Sequence, residues 1–387
     1  MFISTVPWMD GIYISGSEGW FITGRENALM YMEMETNVLK FVSQLPPKEC
    51  ILRGFSNCMK YEDKLVCIPY MATFFFVYLM RERRYVKISV ENPDNIYLQI
   101  VCHMEKDGVM YAVSWTLKQM IVIDLTSLCV IKQYAICSEE DSIWASVFAG
   151  SKLYSTSLKD NSIFITDIRE YITLRKKLPD NIGKILRIVY HNGYLYLSGT
   201  QKEIYIWDCQ QKLEIVKGFP EEFGEYIFNS NENTAILDCT AKEYENSCFL
   251  YEIAVGDKIW FIPFKTNKVL YIEEKKQKLE TLELSAENED RESLKNRLFK
   301  SKYLFEYIRE NRYIGLYSLK NLCLFEIDSE TLEVQYLQIQ MHEDDYKKYE
   351  NSKYKLEIYE NCSNTDIIVE GNKNIYLRDF LEYIDMD

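Results

Sequence analysis

The chain has 387 residues, 47% of them hydrophobic, and carries 45 Lys and Arg against 59 Asp and Glu, a formal charge of −14. That much apolar material excludes disorder as the default, and a field of that sign repels phosphate backbones and anionic headgroups, which sets aside nucleic acid and membrane surfaces as partners. Thirty Tyr and nineteen Phe beside eight Pro and fifteen Gly tilt the composition towards pleated, half-buried structure.

From the N-terminus, Met1 to Pro7 shows no basic stretch ahead of a long apolar one, so no secretory signal is expected. No apolar run approaches the roughly 18 residues that span a bilayer. The eleven cysteines are odd in number and contain no C-x-x-C pair. That pattern suits buried thiols in a reducing compartment, with no disulfide framework and no zinc site. The expectation is a soluble, cytoplasmic protein.

A phrase then recurs along the chain. A turn residue leads into an apolar, aromatic strand, and a short polar turn leads into a second that often ends in Asp or Glu. The first member reads Gly19–Ile22, then Lys64–Ile68, Gly108–Val113, Lys152–Tyr154, Gly193–Leu197, Lys258–Ile262 and Arg312–Leu316. Aligning Trp20, Val66, Met110, Tyr154, Tyr196, Trp260 and Ile314 gives spacings of 46, 44, 44, 42, 64 and 54. Four of these match the roughly 40–50 residues of a four-stranded blade. The partner strands follow at Leu29–Met32, Phe75–Leu79, Met120–Asp124, Ser162–Asp167, Glu203–Asp208, Val269–Glu273 and Cys323–Asp328.

More polar strands come next, among them Cys129–Ala135 and Tyr171–Lys176, and their charges suit a blade's outer edge. Inner strands precede each phrase, as at Ile51–Cys58, Ile143–Ala149, Ile185–Tyr190, Cys248–Ala254 and Tyr303–Ile308. The basic run Arg175-Lys176-Lys177 reads as a solvated strand edge. The strand-end acids Asp124, Asp167, Asp208, Glu273 and Asp328 share one position, which predicts that each caps the following turn.

The predicted fold is all-β: a seven-bladed β-propeller of four-stranded antiparallel blades over residues 1–340, with six or eight blades as the alternatives. Two long connections, Pro220–Ser247 and Ser285–Lys302, interrupt the rhythm. Residues 341–387 read as a C-terminal extension that packs on the propeller or closes it. In it an acidic connector leads to two short strands and a helix at Ile375–Ile384, whose Tyr376, Phe380 and Ile384 share a face. Closure through Met1–Val6 paired with Tyr354–Glu370 would make an eighth or composite blade.

Gly19-Trp20-Phe21-Ile22-Thr23, followed by Asn27, Met30 and the strand ending at Leu45-Pro46, resembles the blade phrase of streptogramin-lyase-like propellers. Trp207-Asp208, which occurs once, is similar to the dipeptide that ends a strand in WD repeats, and the distant kelch-like resemblance comes without the paired glycine of kelch blades. Lys258-Ile259-Trp260-Phe261-Ile262-Pro263 resembles phrases in uncharacterised bacterial propellers. The lyase resemblance implies histidine chemistry with a bound divalent cation. The chain's three histidines, His103, His191 and His342, fall in an inner strand, a turn and the acidic connector.

No nucleophile elbow, phosphate-cradling loop or dinucleotide fingerprint is present, so the residues nominate no catalytic group, metal or cofactor. In a propeller the loops joining second and third strands share a face with the blade-to-blade connections, so both long connections rise from that face. Loops there carry Tyr70, Trp115 and Phe264, where other blades place Gly24, Ser157, Gly199 and Ser318. Tyr and Trp anchor interfaces. These three residues predict a non-catalytic propeller that binds a protein or peptide through that face. The alternatives are a propeller enzyme (a lyase or a carbohydrate-active one) and a glycan or small-molecule sensor using the channel.

Overall fold

The computed structural model describes residues 2–4, 11–24, 27–46, 54–201, 203–220, 249–263, 266, 268–274, 278–284, 303–318 and 323–352. Seven antiparallel sheets follow one another, each with its four blade strands in chain order. Their inner strands begin at Tyr13, Phe55, Ile100, Ile143, Ile185, Phe249 and Tyr303. The chain is a seven-bladed β-propeller.

Strand composition explains the architecture. Central strands such as Lys64–Pro69 and Lys258–Pro263 are apolar without alternation, and they are buried on both faces. Leu65 and Cys67 pack towards blade 1, against Trp20 and Ile22, whereas Val66 and Ile68 pack towards blade 3, against Met110 and Ala112. Seven clusters of this kind fill the seven interfaces between neighbouring blades. Outer strands are polar because one edge meets solvent. In Ile172–Lys177 of blade 4, Arg175 pairs with Asp141 and Asp160 at 3.1 and 2.9 Å, and Lys177 with Asp180 at 2.8 Å.

The turns follow local chemistry. Asp107-Gly108 and Asn192-Gly193 are two-residue hairpin loops with positive φ at both positions, 54° and 77° in the first and 46° and 90° in the second. The strand-end aspartates cap the turns as expected. Asp124 Oδ1 accepts from the Thr126 and Ser127 amides at 2.8 Å, Asp167 Oδ1 from Arg169 and Glu170, and Asp208 Oδ1 from Gln210 and Gln211. The turn after Glu273 includes residues 275–277, outside the described residues.

Asp328 adds an ion pair to the same turn. Arg312 Nε lies 3.0 Å from both of its oxygens, and that guanidinium, with the Glu330 and Thr331 amides, holds the carboxyl down at about 2. Asp328→Ala is expected to lower the unfolding free energy by about 2 kcal/mol in urea denaturation at neutral pH. A loss near zero would show that solvent replaces these bonds freely.

Closure brings the two ends of the described chain together. Phe2–Ser4 pairs antiparallel with Gln340–His342, which runs parallel to the outer strand of blade 1 through Val38 and Leu39, giving that sheet six strands. The ring is closed inside by Glu306 of blade 7, whose carbonyl accepts from Ile12 N at 2.7 Å and whose Oε2 accepts from Gly11 N at 3.0 Å. Residues 343–352 form a helix where the sequence reads as an acidic connector. Tyr349 and Tyr346, three apart, pack on blade 1, and Lys347 bonds Glu343 one turn back at 2.9 Å. The strands expected near residues 354–370 and the helix at 375–384 lie outside the described residues.

Candidate docking face

In blades 2 to 5 the loop between second and third strands is tied to the start of its own blade by a repeated bond. The amides of Tyr70, Trp115, Leu158 and Thr200 donate to the carbonyls of Gly54, Gln99, Ser142 and Lys184 at 2.9, 3.1, 3.0 and 3.0 Å. These bonds set the blades in register and correct one comparison: Tyr70 and Trp115 match Leu158 and Thr200, one residue beyond Ser157 and Gly199. They also place these loops and the blade-to-blade connections on one face. The long insertions, residues 221–248 and 285–302, lie outside the described residues, as does Phe264.

Tyr70 and Trp115 are brought into one sector. The connection from blade 2 to blade 3 runs between their loops. Leu98 N donates to the Ala72 carbonyl at 2.9 Å, and the Thr116 hydroxyl bonds the carbonyls of Tyr97 and Leu98. Asn92 pins the turn before it by accepting from Ile96 N at 3.0 Å. On this frame Tyr70, Ile96, Tyr97 and Val101 are 37, 40, 43 and 38% exposed. Trp115 is half-buried and meets Trp144 of blade 4 edge to face, with centroids 5.2 Å apart.

Val101 and Trp144 hold the same position in their blades. Both sit where the first two strands of their blade slip register, between Ile100 and Cys102 and between Ile143 and Ser146. A bulge turns a side chain out of the alternation it would otherwise keep. Ile96, Tyr97, Val101 and Trp144 carried no role in the sequence reading; the Asn-Pro-Asp-Asn turn ahead of Ile96 was the available signal.

Acids surround the strip. Glu91 and Asp94 flank it in one connection, and Glu139 and Glu140 are exposed in the next. Lys159 reaches Glu140 at 3.7 Å, and Lys118 spends its ammonium on the Glu139 carbonyl. Among the described residues the carboxylates of Glu91, Asp94 and Glu139 have no basic partner.

The groups that could do chemistry fall on different strands and blades. His103, in blade 3, is pushed down to about 4 by burial and stays neutral. His191 is half-buried, not solvated as its turn position suggests, with Nε2 3.3 Å from Glu274 of the next blade. His342 stacks on Phe2 with ring centroids 4.2 Å apart. Glu252, in blade 6, is raised to about 8 by burial, which the nearby Ser198 hydroxyl and Arg187 guanidinium only partly offset. That value suits a general acid, but both carboxyl oxygens are sealed from solvent, so no substrate touches them here. No group of three or more His, Cys, Asp or Glu among the described residues could hold a metal ion.

No protein-family model matches the chain, and no curated protein does. Solved structures match by shape. PorZ, a surface component of the type-IX secretion system of Porphyromonas gingivalis, aligns with a TM-score of 0.54 and 8% identity over 87% of this chain. This chain spans only 39% of PorZ. A chain of the mitotic checkpoint complex aligns with a TM-score of 0.52 and 10% identity, covering 87% of each. The dihydro-heme d1 dehydrogenase NirN, in complex with DHE, aligns with a TM-score of 0.52 and 11% identity over 88% of this chain and 67% of its own. At such identities the likeness is one of fold.

Proposed function

We propose that this propeller is a partner-binding protein that docks a protein or peptide on the face carrying the blade-to-blade connections, in the sector of blades 2 to 4. The observation that carries the reading is the exposed strip of Tyr70, Ile96, Tyr97 and Val101 beside the Trp115–Trp144 pair. Exposed apolar surface stitched to a rigid frame costs solvation that a partner recovers. Similar folds serve both an assembly, the mitotic checkpoint complex, and an enzyme, NirN, so the strip and not the fold favours docking. The seven described cysteines are free thiols, which fits work in the cytoplasm.

The test is affinity capture from lysate of the source cells, with wild type and a Tyr70→Ser, Tyr97→Ser, Trp115→Ala variant as baits. A protein held by the wild type and lost by the folded variant is the expected result. Identical captures by both baits would make the strip structural. Empty captures by both would turn attention to lyase and carbohydrate assays.

A further inference from the structure

The strip and the acids around it carry a more specific reading, which rests on the docking role proposed above. We infer that the occupant is an extended segment of another protein in which Arg or Lys stands beside large apolar residues. The apolar half follows from Tyr70, Ile96, Tyr97 and Val101, all exposed in the sector framed by the connection from blade 2 to blade 3. The basic half follows from Glu91, Asp94 and Glu139, which border that sector from two consecutive connections without a basic partner among the described residues. Complementary potential of this kind selects partners and speeds encounter, and like charge repels wrong ones.

That same rule removes the nearer occupants. A second copy of the chain would bring a net charge of −14 to an acidic sector. Residues 221–248 carry seven acids against Lys242 alone, and residues 353–387 carry eight acids against four bases. A basic partner is the one the field attracts. An aromatic strip adds a second gain, because guanidinium and ammonium groups are favoured over Tyr and Trp faces. The propeller already uses this contact internally, with Lys132 lying 3.5 Å over the Tyr171 ring.

The experiment selects short random peptides, displayed on phage, on the immobilised full chain and titrates the enriched sequences by fluorescence anisotropy. Sequences pairing Arg or Lys with Trp, Phe or Leu are the expected result. Their affinity falls about tenfold or more in Tyr97→Ser, and by about tenfold in an Asp94→Lys, Glu139→Lys variant; added salt weakens it further. All three positions are exposed, and circular dichroism confirms that each variant folds.

If enriched peptides lose binding in Tyr97→Ser but keep it after charge reversal, the inference fails and the docking face stands. If they ignore both variants, the docking face fails as well. Enrichment of neutral or acidic peptides, or of none, overturns the basic occupant whatever the lysate capture gives.

Discussion

Replacing Glu252 with glutamine makes the propeller gain on the wild type as the pH rises, by about 3 kcal/mol between about pH 5 and about pH 8. Glu252 lies in the inner strand of blade 6, and its two carboxyl oxygens have no hydrogen-bond partner among the described residues. Arg187 of blade 5 is near, but its Nε and Nη1 donate to the carbonyls of Leu250 and Leu186 at 2.6 and 2.7 Å. Burial therefore wins and carries the carboxyl from 4.5 up to about 8.

Below about pH 4.5 both folded and unfolded chains hold the proton, and the stabilisation is fully present. As the pH climbs, the unfolded chain ionises first, so each unit across the window removes about 1.4 kcal/mol until the folded carboxyl also ionises. Glutamine has the same shape and cannot ionise, so it does not contribute to that slope. Urea denaturation of both proteins at both ends of the window reads the difference. Parallel curves would show that Glu252 is ionised and solvated in the folded state.

The seven-blade period was legible because a blade is a local object. Its second and third strands are apolar on both faces, as in Lys64–Pro69, and a turn with its own chemistry, such as Asn192-Gly193, separates its first two. What joins distant parts of the chain was not. The pairing of Phe2–Ser4 with Gln340–His342 rests on three-residue strands, too short for any periodicity to register. The helix at residues 343–352 reads as a charged connector because only Tyr346 and Tyr349 mark its packed side.

The docking sector divides in the same way. Tyr70 and Trp115 follow from loop position, whereas Val101 and Trp144 sit at register slips that sequence alternation does not announce. Glu252 was legible in principle. Aligned inner strands place Ile12, Cys58 and Ile188, all buried, at its level in blades 1, 2 and 5. An acid among such sisters signals a buried charge, but only after the register is known.

Gly199→Ala is expected to be the most damaging glycine-to-alanine change among the described residues, lowering the unfolding free energy by about 3–5 kcal/mol. Gly199 ends the second strand of blade 5 and pairs with Ile185 at the start of the inner strand. A Cβ there would lie 1.7 Å from the Lys184 carbonyl oxygen, 2.7 Å from its carbon and 3.0 Å from Ile185 Cα. These are backbone atoms, so no side chain can swing aside. The oxygen is also the acceptor of Thr200 N, the bond that sets this loop in register with its sisters.

The sister positions Ser114, Ser157 and Ser318 pair with the same level of their own inner strands and do carry a Cβ. The close approach is therefore a feature of blade 5 and not of the repeat. Gly193, in the same blade, supplies the contrast. It has φ of 90° and nothing within 4 Å of a built Cβ, so Gly193→Ala pays only for the left-handed backbone, roughly 1–2 kcal/mol. Urea denaturation of the two variants separates steric from conformational cost. If both lose the same small amount, the inner strand of blade 5 slides away from the new methyl, and the register bond at Thr200 is softer than its 3.0 Å length implies.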